Sequence, residues 1–155
     1  MEKRVILLPA VLFFLLCQLQ TIAQKPDYSG TWVLNLEKSN LQDMSPGFTG
    51  SKFIIRQKAD KIRLTRYHMF GEKKNRLKFK MVADGKTRTV KLLFKGKLER
   101  EGNTLRSTLW RKNFHNVVVY SFGNNENEFV ADEVFKGLPK DHHNIWVFER
   151  EITKK

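Results

Sequence analysis

Four histidines lie beyond the amino-terminal segment: His68, His115, His142 and His143. Imidazole binds transition metals and moves protons near neutrality, so these are the first residues to weigh for chemistry. Only His142 and His143 are close in sequence. Adjacent residues on a strand point to opposite faces, so this pair could hold one ion only from a loop. Gly137-Leu138-Pro139-Lys140-Asp141 just before it is turn-like, which keeps that loop open. No His-x-x-x-His spacing occurs, and the single cysteine, Cys17, sits near the amino terminus, so no metal site is expected. Carboxylates come in unhelpful pairs. Asp132 and Glu133 would face opposite ways on a strand, and Glu99 and Glu101 flank a turn, whereas acid–base work needs two such groups converging in space. There is no Gly-x-Ser-x-Gly elbow, phosphate loop or dinucleotide fingerprint. No catalytic residue can be named and no cofactor is implied, so the expectation is a binding protein rather than an enzyme.

The elements that would position any site are strands. Apolar residues alternate in Phe53 and Ile55, Ile62 and Leu64, Leu77 to Met81, Val90 to Phe94, and Leu105 and Leu109. A period of two marks strands with one buried face. Nine are expected: 31–36, 52–58, 62–70, 76–82, 87–95, 104–111, 116–122, 128–135 and 145–152. Ala83-Asp84-Gly85-Lys86 and Glu101-Gly102-Asn103 read as tight turns, while Ser39 to Ser51, with its Asn, Asp, Pro and Gly, reads as a long loop. No stretch beyond the amino-terminal segment has helical apolar spacing. The fold class is therefore all-β, a single antiparallel up-and-down meander closed into a barrel of about 8 to 9 strands, because closure removes exposed edges.

The amino terminus fixes the expected compartment. Lys3 and Arg4 precede the apolar run Val5 to Cys17, and Thr21-Ile22-Ala23 places small residues before a cut. This describes a secretory signal peptide over 1–23, leaving 24–155 as one periplasmic or secreted domain. Without cysteine, that domain has no disulfide, and its core must hold it. A formal net charge of +13 favours anionic partners such as lipopolysaccharide, an anionic glycan or lipid headgroups. Nucleic acid is not expected, because no recognition motif is visible. The chain is expected to be a monomer.

Ser29-Gly30-Thr31-Trp32, followed by Asn35-Leu36-Glu37-Lys38-Ser39, resembles the opening of small secreted bacterial lipocalin-like (calycin-type) β-barrel proteins. Lys58-Ala59-Asp60-Lys61-Ile62, Asp84-Gly85-Lys86 and Trp146-Val147-Phe148-Glu149-Arg150 resemble that family's later turns and closing strand. The resemblance implies that Trp32 lies across the closed end of the barrel and that Arg150 stacks on it. A guanidinium over an indole face is worth about 0.5 to 2 kcal/mol.

Two binding surfaces follow as expectations. Inside, Phe53, Phe79, Met81, Phe94 and Phe135 would line a partial cavity for a small apolar or amphipathic molecule, with the Ser39 to Ser51 loop near one mouth. Outside, Arg76, Lys78 and Lys80 on one strand, with Lys91 and Lys95 on the next, would form a basic panel on one hairpin folded at the Asp84-Gly85 turn. That panel serves the alternative reading, an interaction protein with a solid core that docks to an anionic glycan, lipopolysaccharide or partner protein.

Overall fold

The computed structural model describes residues 27–42, 44–91, 93–122 and 126–152. The expected signal peptide, 1–23, lies outside them. Ten strands follow one another: β1 (Gly30–Leu34), β2 (Phe48–Lys58), β3 (Lys61–Phe70), β4 (Lys73–Val82), β5 (Arg88–Lys91), β6 (Phe94–Glu101), β7 (Thr104–Arg111), β8 (Phe114–Phe122), β9 (Glu128–Gly137) and β10 (His142–Arg150). They form one antiparallel sheet in the order β4-β3-β2-β1-β10-β9-β8-β7-β6-β5. Every chain neighbour pairs except β4 with β5, and the first strand pairs with the last, so the meander rolls into a barrel whose one unbonded seam runs between β4 and β5.

The extra strand comes from the segment expected as one strand over 87–95. It divides around a turn before Phe94, giving β5 and β6. The turn carries no glycine or proline, and its apolar residues continue the strand pattern, so nothing in composition marks it. Gly96 on β6 lets the side chains of Val90 and Leu109 pack closely over it, because a Cβ there would lie 2.6 Å from Leu109 Cδ2 and 2.7 Å from Val90 Cγ2. The long loop is shorter than expected, since β2 begins at Phe48. Its first half is held by polar contacts: Lys38 N donates to Asn35 Oδ1 at 3.1 Å, Val147 N to Ser39 Oγ at 2.9 Å, and Asn40 bridges Ile145. The Asn-Leu-Glu-Lys-Ser segment thus clips the chain to β10.

One end of the barrel is plugged. Trp32 is fully buried, edge-on to Phe129 at 4.8 Å, with its Nε1 donating to Tyr28 O at 2.9 Å. Tyr28 stacks on Phe122 at 4.7 Å and closes the same end. Arg150, opposite Trp32 in the β1–β10 register, sets its guanidinium carbon 4.2 Å from the indole centre and donates from Nη1 to Ser29 O at 2.6 Å. Gly30 leaves room for this, because a Cβ there would meet Arg150 Nη1 at 2.5 Å, and its φ of +143° is one that side chains rarely adopt. The expected Trp–Arg pair is therefore formed, and the glycine two residues earlier is part of it.

Candidate ligand-binding site

Above the plug the barrel is hollow, with a cavity of about 580 Å³. Alternation places the inward residues: Ile62, Leu64, Arg66, His68 and Phe70 on β3, Leu77, Phe79 and Met81 on β4, and Glu133 and Phe135 on β9 all line it. Toward the end away from Trp32 the lining residues Met44, Phe48, Phe70, Phe94 and Phe114 are half-buried and Ser45 is exposed, which marks the mouth. A volume of this size falls within the range of about 300 to 1,000 Å³ typical of small-molecule pockets.

Most of the wall is apolar, but one polar cluster interrupts it. Glu133, buried at 8% exposure, accepts from Asn116 Nδ2 at 2.7 Å, Trp146 Nε1 at 2.8 Å and Asn144 Nδ2 at 3.4 Å. Asn144 Oδ1 accepts in turn from Gln42 N at 2.5 Å, which ties the β1–β2 loop to the floor of the cluster. Facing it from β3 is Arg66, whose Nε is buried with no hydrogen-bond partner among the described residues. Burial lowers the Arg66 pKa and the Glu133 carboxylate opposes the shift; a guanidinium still keeps its charge at neutral pH. Tyr120 beside it is pushed up to about 12 by burial, with Arg66 pulling down and Glu133 pushing up. His68 is pushed down to about 3, first by burial and then by Arg66, so it is neutral at pH 7. It lies among Phe48 and Trp146, with ring centres 5.6 and 5.8 Å away.

The hydrogen-bond inventory of this cluster is lopsided. Both Glu133 oxygens are engaged, whereas Arg66 presents only donors and leaves at least Nε unused. A molecule entering the cavity with an acceptor would satisfy Arg66 Nε, and His68 Nδ1, also buried without a partner among the described residues, would donate or accept according to its tautomer. Nothing here assembles a nucleophile with a base, and among the described residues no group of three His, Cys, Asp or Glu side chains could hold a metal. His142 and His143 occupy a strand, not a loop. His142 stacks on Phe135 at 4.6 Å inside, and His143 bonds Asp132 at 2.8 Å outside.

Each of the inward residues expected from sequence, Phe53, Phe79, Met81, Phe94 and Phe135, lines the cavity. The solid core of the alternative reading is absent. Arg76, Lys78 and Lys80 are exposed on the outer face of β4, and Lys95 is exposed on β6. Lys91 lies on β5, its side chain outside what the structure describes. The single basic hairpin expected from them does not form, because β4 and β5 do not pair. After Ala83, whose N donates to Asp60 O at 2.8 Å, Gly85 N bonds Leu98 O at 3.0 Å, so the chain crosses to β6 instead of folding back. Arg66 and Glu133, the polar centre of the site, were not expected. Their signal was parity: Arg66 is in phase with Ile62 and Leu64, and Glu133 with Ala131 and Phe135.

By sequence, no family model matches the chain, and no curated protein matches it. By structure it is similar to the zebrafish ileal bile acid-binding protein complexed with cholic acid, with 14% identity and a TM-score of 0.53 over 80% of this chain and 98% of that one. It is similar also to fatty-acid-binding protein 1 of Echinococcus granulosus, at 13% identity and a TM-score of 0.55 over 81% and 98%. A third likeness is to a fatty-acid-binding protein from Drosophila melanogaster brain, at 16% identity and a TM-score of 0.52 over 79% and 99%. At these identities what is shared is the architecture: the chain has a calycin-type β-barrel fold.

Proposed function

We propose that the protein is a non-enzymatic carrier that holds one small amphipathic molecule inside the barrel, with an acceptor-bearing head group, such as a carboxylate, on Arg66. The observation that carries this reading is the apolar cavity of about 580 Å³ with a polar cluster in which the Arg66 Nε donor is buried without a partner among the described residues. The ligands for which two fold neighbours are named, a bile acid and fatty acids, are molecules of this kind. The apolar body would lie against Phe53, Phe79, Met81, Phe94 and Phe135. A matched pair of probes tests it: a long-chain alkyl carboxylate and the alcohol of the same length. A charge-assisted hydrogen bond to Arg66 predicts that the carboxylate binds about ten- to hundredfold tighter. Arg66→Met should erase that preference while leaving alcohol affinity within about twofold. Failure of either probe to bind, or an equal preference in the variant, refutes the reading.

The carrier would act as a monomer outside the cytoplasm, with 24–155 as the working chain. Lys3, Arg4, the apolar run to Cys17 and the expected cut after Ala23 support the export. Amino-terminal sequencing of the protein from its host should begin at Gln24, and a retained Met1 would refute export by cleavage. A second reading, docking to an anionic glycan or lipopolysaccharide by the outer face, is favoured by one observation: β2, β3 and β4 carry Arg56, Arg63, Arg76, Lys78 and Lys80 among their outward residues and no Asp or Glu anywhere. Retention on such a polymer that survives Lys78→Glu with Lys80→Glu rejects it.

A further inference from the structure

The two ends of the barrel differ in their surface chemistry. At the plug end charges of both signs are mixed: Asp60, Asp84 and Glu126 lie in the turns, Glu101 closes β6 and Asp27 and Glu151 flank the barrel, while Lys58, Lys61, Lys86 and Arg88 stand exposed among them, Arg88 paired with Asp84. At the mouth, among the described residues, the β3–β4 and β9–β10 turns hold Glu72 and Asp141, the latter paired with Lys136 at 3.0 Å. Around these two stand the exposed cations Lys73, Lys74, Arg111, Lys112 and Lys140. A second feature falls at the same end. Leu93, at the tip between β5 and β6, is 80% exposed, and Leu138, at the tip between β9 and β10, is 75% exposed. Beneath the tips runs a chain of rings, Phe94 to Phe114 to Phe135, each 5.1 Å from the next, which braces the three hairpins together.

Isolated leucines at the ends of braced hairpins, ringed by lysine and arginine, match the chemistry of a membrane interface. There apolar tips enter the acyl boundary while long cationic side chains reach the head groups. An anionic leaflet attracts basic residues in addition. We propose that the mouth end docks on an anionic phospholipid bilayer, with Leu93 and Leu138 inserted at the interface and the surrounding cations on the phosphates. The cavity mouth would then open against the membrane surface. Docking does not depend on what the cavity holds, so it stands or falls separately from the carrier reading.

Co-flotation of the full chain, amino-terminal segment removed, with phosphatidylglycerol–phosphatidylcholine vesicles and with pure phosphatidylcholine vesicles tests this. Binding to the anionic vesicles that weakens with added salt is expected. Leu93→Ser with Leu138→Ser should lower it about tenfold or more, since each leucine loses its burial in the interface. Both side chains are exposed, so the fold is expected to survive, and β-sheet circular dichroism verifies it. Lys73→Glu with Lys74→Glu and Lys112→Glu should weaken binding more than the same number of reversals at Arg76, Lys78 and Lys80 on the barrel side. No binding to anionic vesicles overturns the proposal. So does vesicle binding unchanged in the double leucine variant, for then the protein holds polyanions by charge alone, as parallel retention on soluble heparin would show.

Discussion

Gly30→Ala is the most discriminating single change in this barrel. At φ +143°, an added Cβ strains the backbone by about 1 to 3 kcal/mol whatever surrounds it. The same Cβ would sit 2.5 Å from Arg150 Nη1, so the guanidinium must leave both the Trp32 face and the Ser29 carbonyl. Losing the stack removes about 0.5 to 2 kcal/mol and losing the charged hydrogen bond about 1.5 to 3. Gly30→Ala alone should therefore destabilise by roughly 3 to 8 kcal/mol. In an Arg150→Ala background the collision is gone and only the backbone part is left. The pair should then show a coupling of about 2 kcal/mol or more, well above the few tenths found for independent sites. Urea unfolding of the four species measures it, and with a slope of about 1 to 3 kcal/mol per molar the coupling moves the midpoint by about 1 M. Additive effects, with coupling under about 0.5 kcal/mol, would mean that Gly30 is there for its backbone alone and that the stack contributes nothing separable.

Two further outcomes follow from the polar cluster. Glu133→Leu leaves the donors of Asn116, Asn144 and Trp146 without their acceptor and Arg66 without its counter-charge, so it should destabilise by about 3 to 5 kcal/mol in thermal or urea unfolding. Adding Arg66→Met should recover part of that loss, and a double variant as unstable as the sum of the two would show the pair uncoupled. His68 is held neutral, with its pKa down to about 3 against an ordinary 6.5. Between those values the unfolded chain binds the proton that the folded chain refuses, so stability falls as pH is lowered through this window. Unfolding midpoints at about pH 7 and pH 5 should fall further apart in the wild type than in His68→Phe; identical pH slopes would place His68 in water.

The barrel was legible in the sequence because alternation over strands with clear turns leaves few other solutions. The plug was named from the resemblance of Gly30-Thr31-Trp32 and of the closing strand to lipocalin-like barrels, and the antiparallel pairing of the first strand with the last is what brings Trp32 opposite Arg150. The β5–β6 reversal was hidden because apolar residues run through it and no glycine or proline marks it. Aromatic inward residues such as Phe79 and Phe135 could be named in advance, since burial and strand parity point the same way for them. Arg66 and Glu133 obey the same parity, but their charge argues for solvent. Only the three donors around Glu133 and the hollow beside Arg66 explain why parity prevails over polarity.

The position of the seam has a consequence for how the chain becomes itself. Strands β1 to β4 form one meander and β5 to β10 another, and the joint between them is the pairing of the earliest strand with the latest. Trp32 therefore waits uncovered until Arg150 arrives, and the interior has no floor until β10 has been made. Contacts so distant along the chain form slowly, because the intervening loop must be closed before they are rewarded. The two halves can each zip hairpin by hairpin, but the vessel is sealed in one late step. The half made first, bearing cations and no carboxylate on β2 to β4, spends that interval repelling its own copies, which keeps an unfinished sheet edge from finding another.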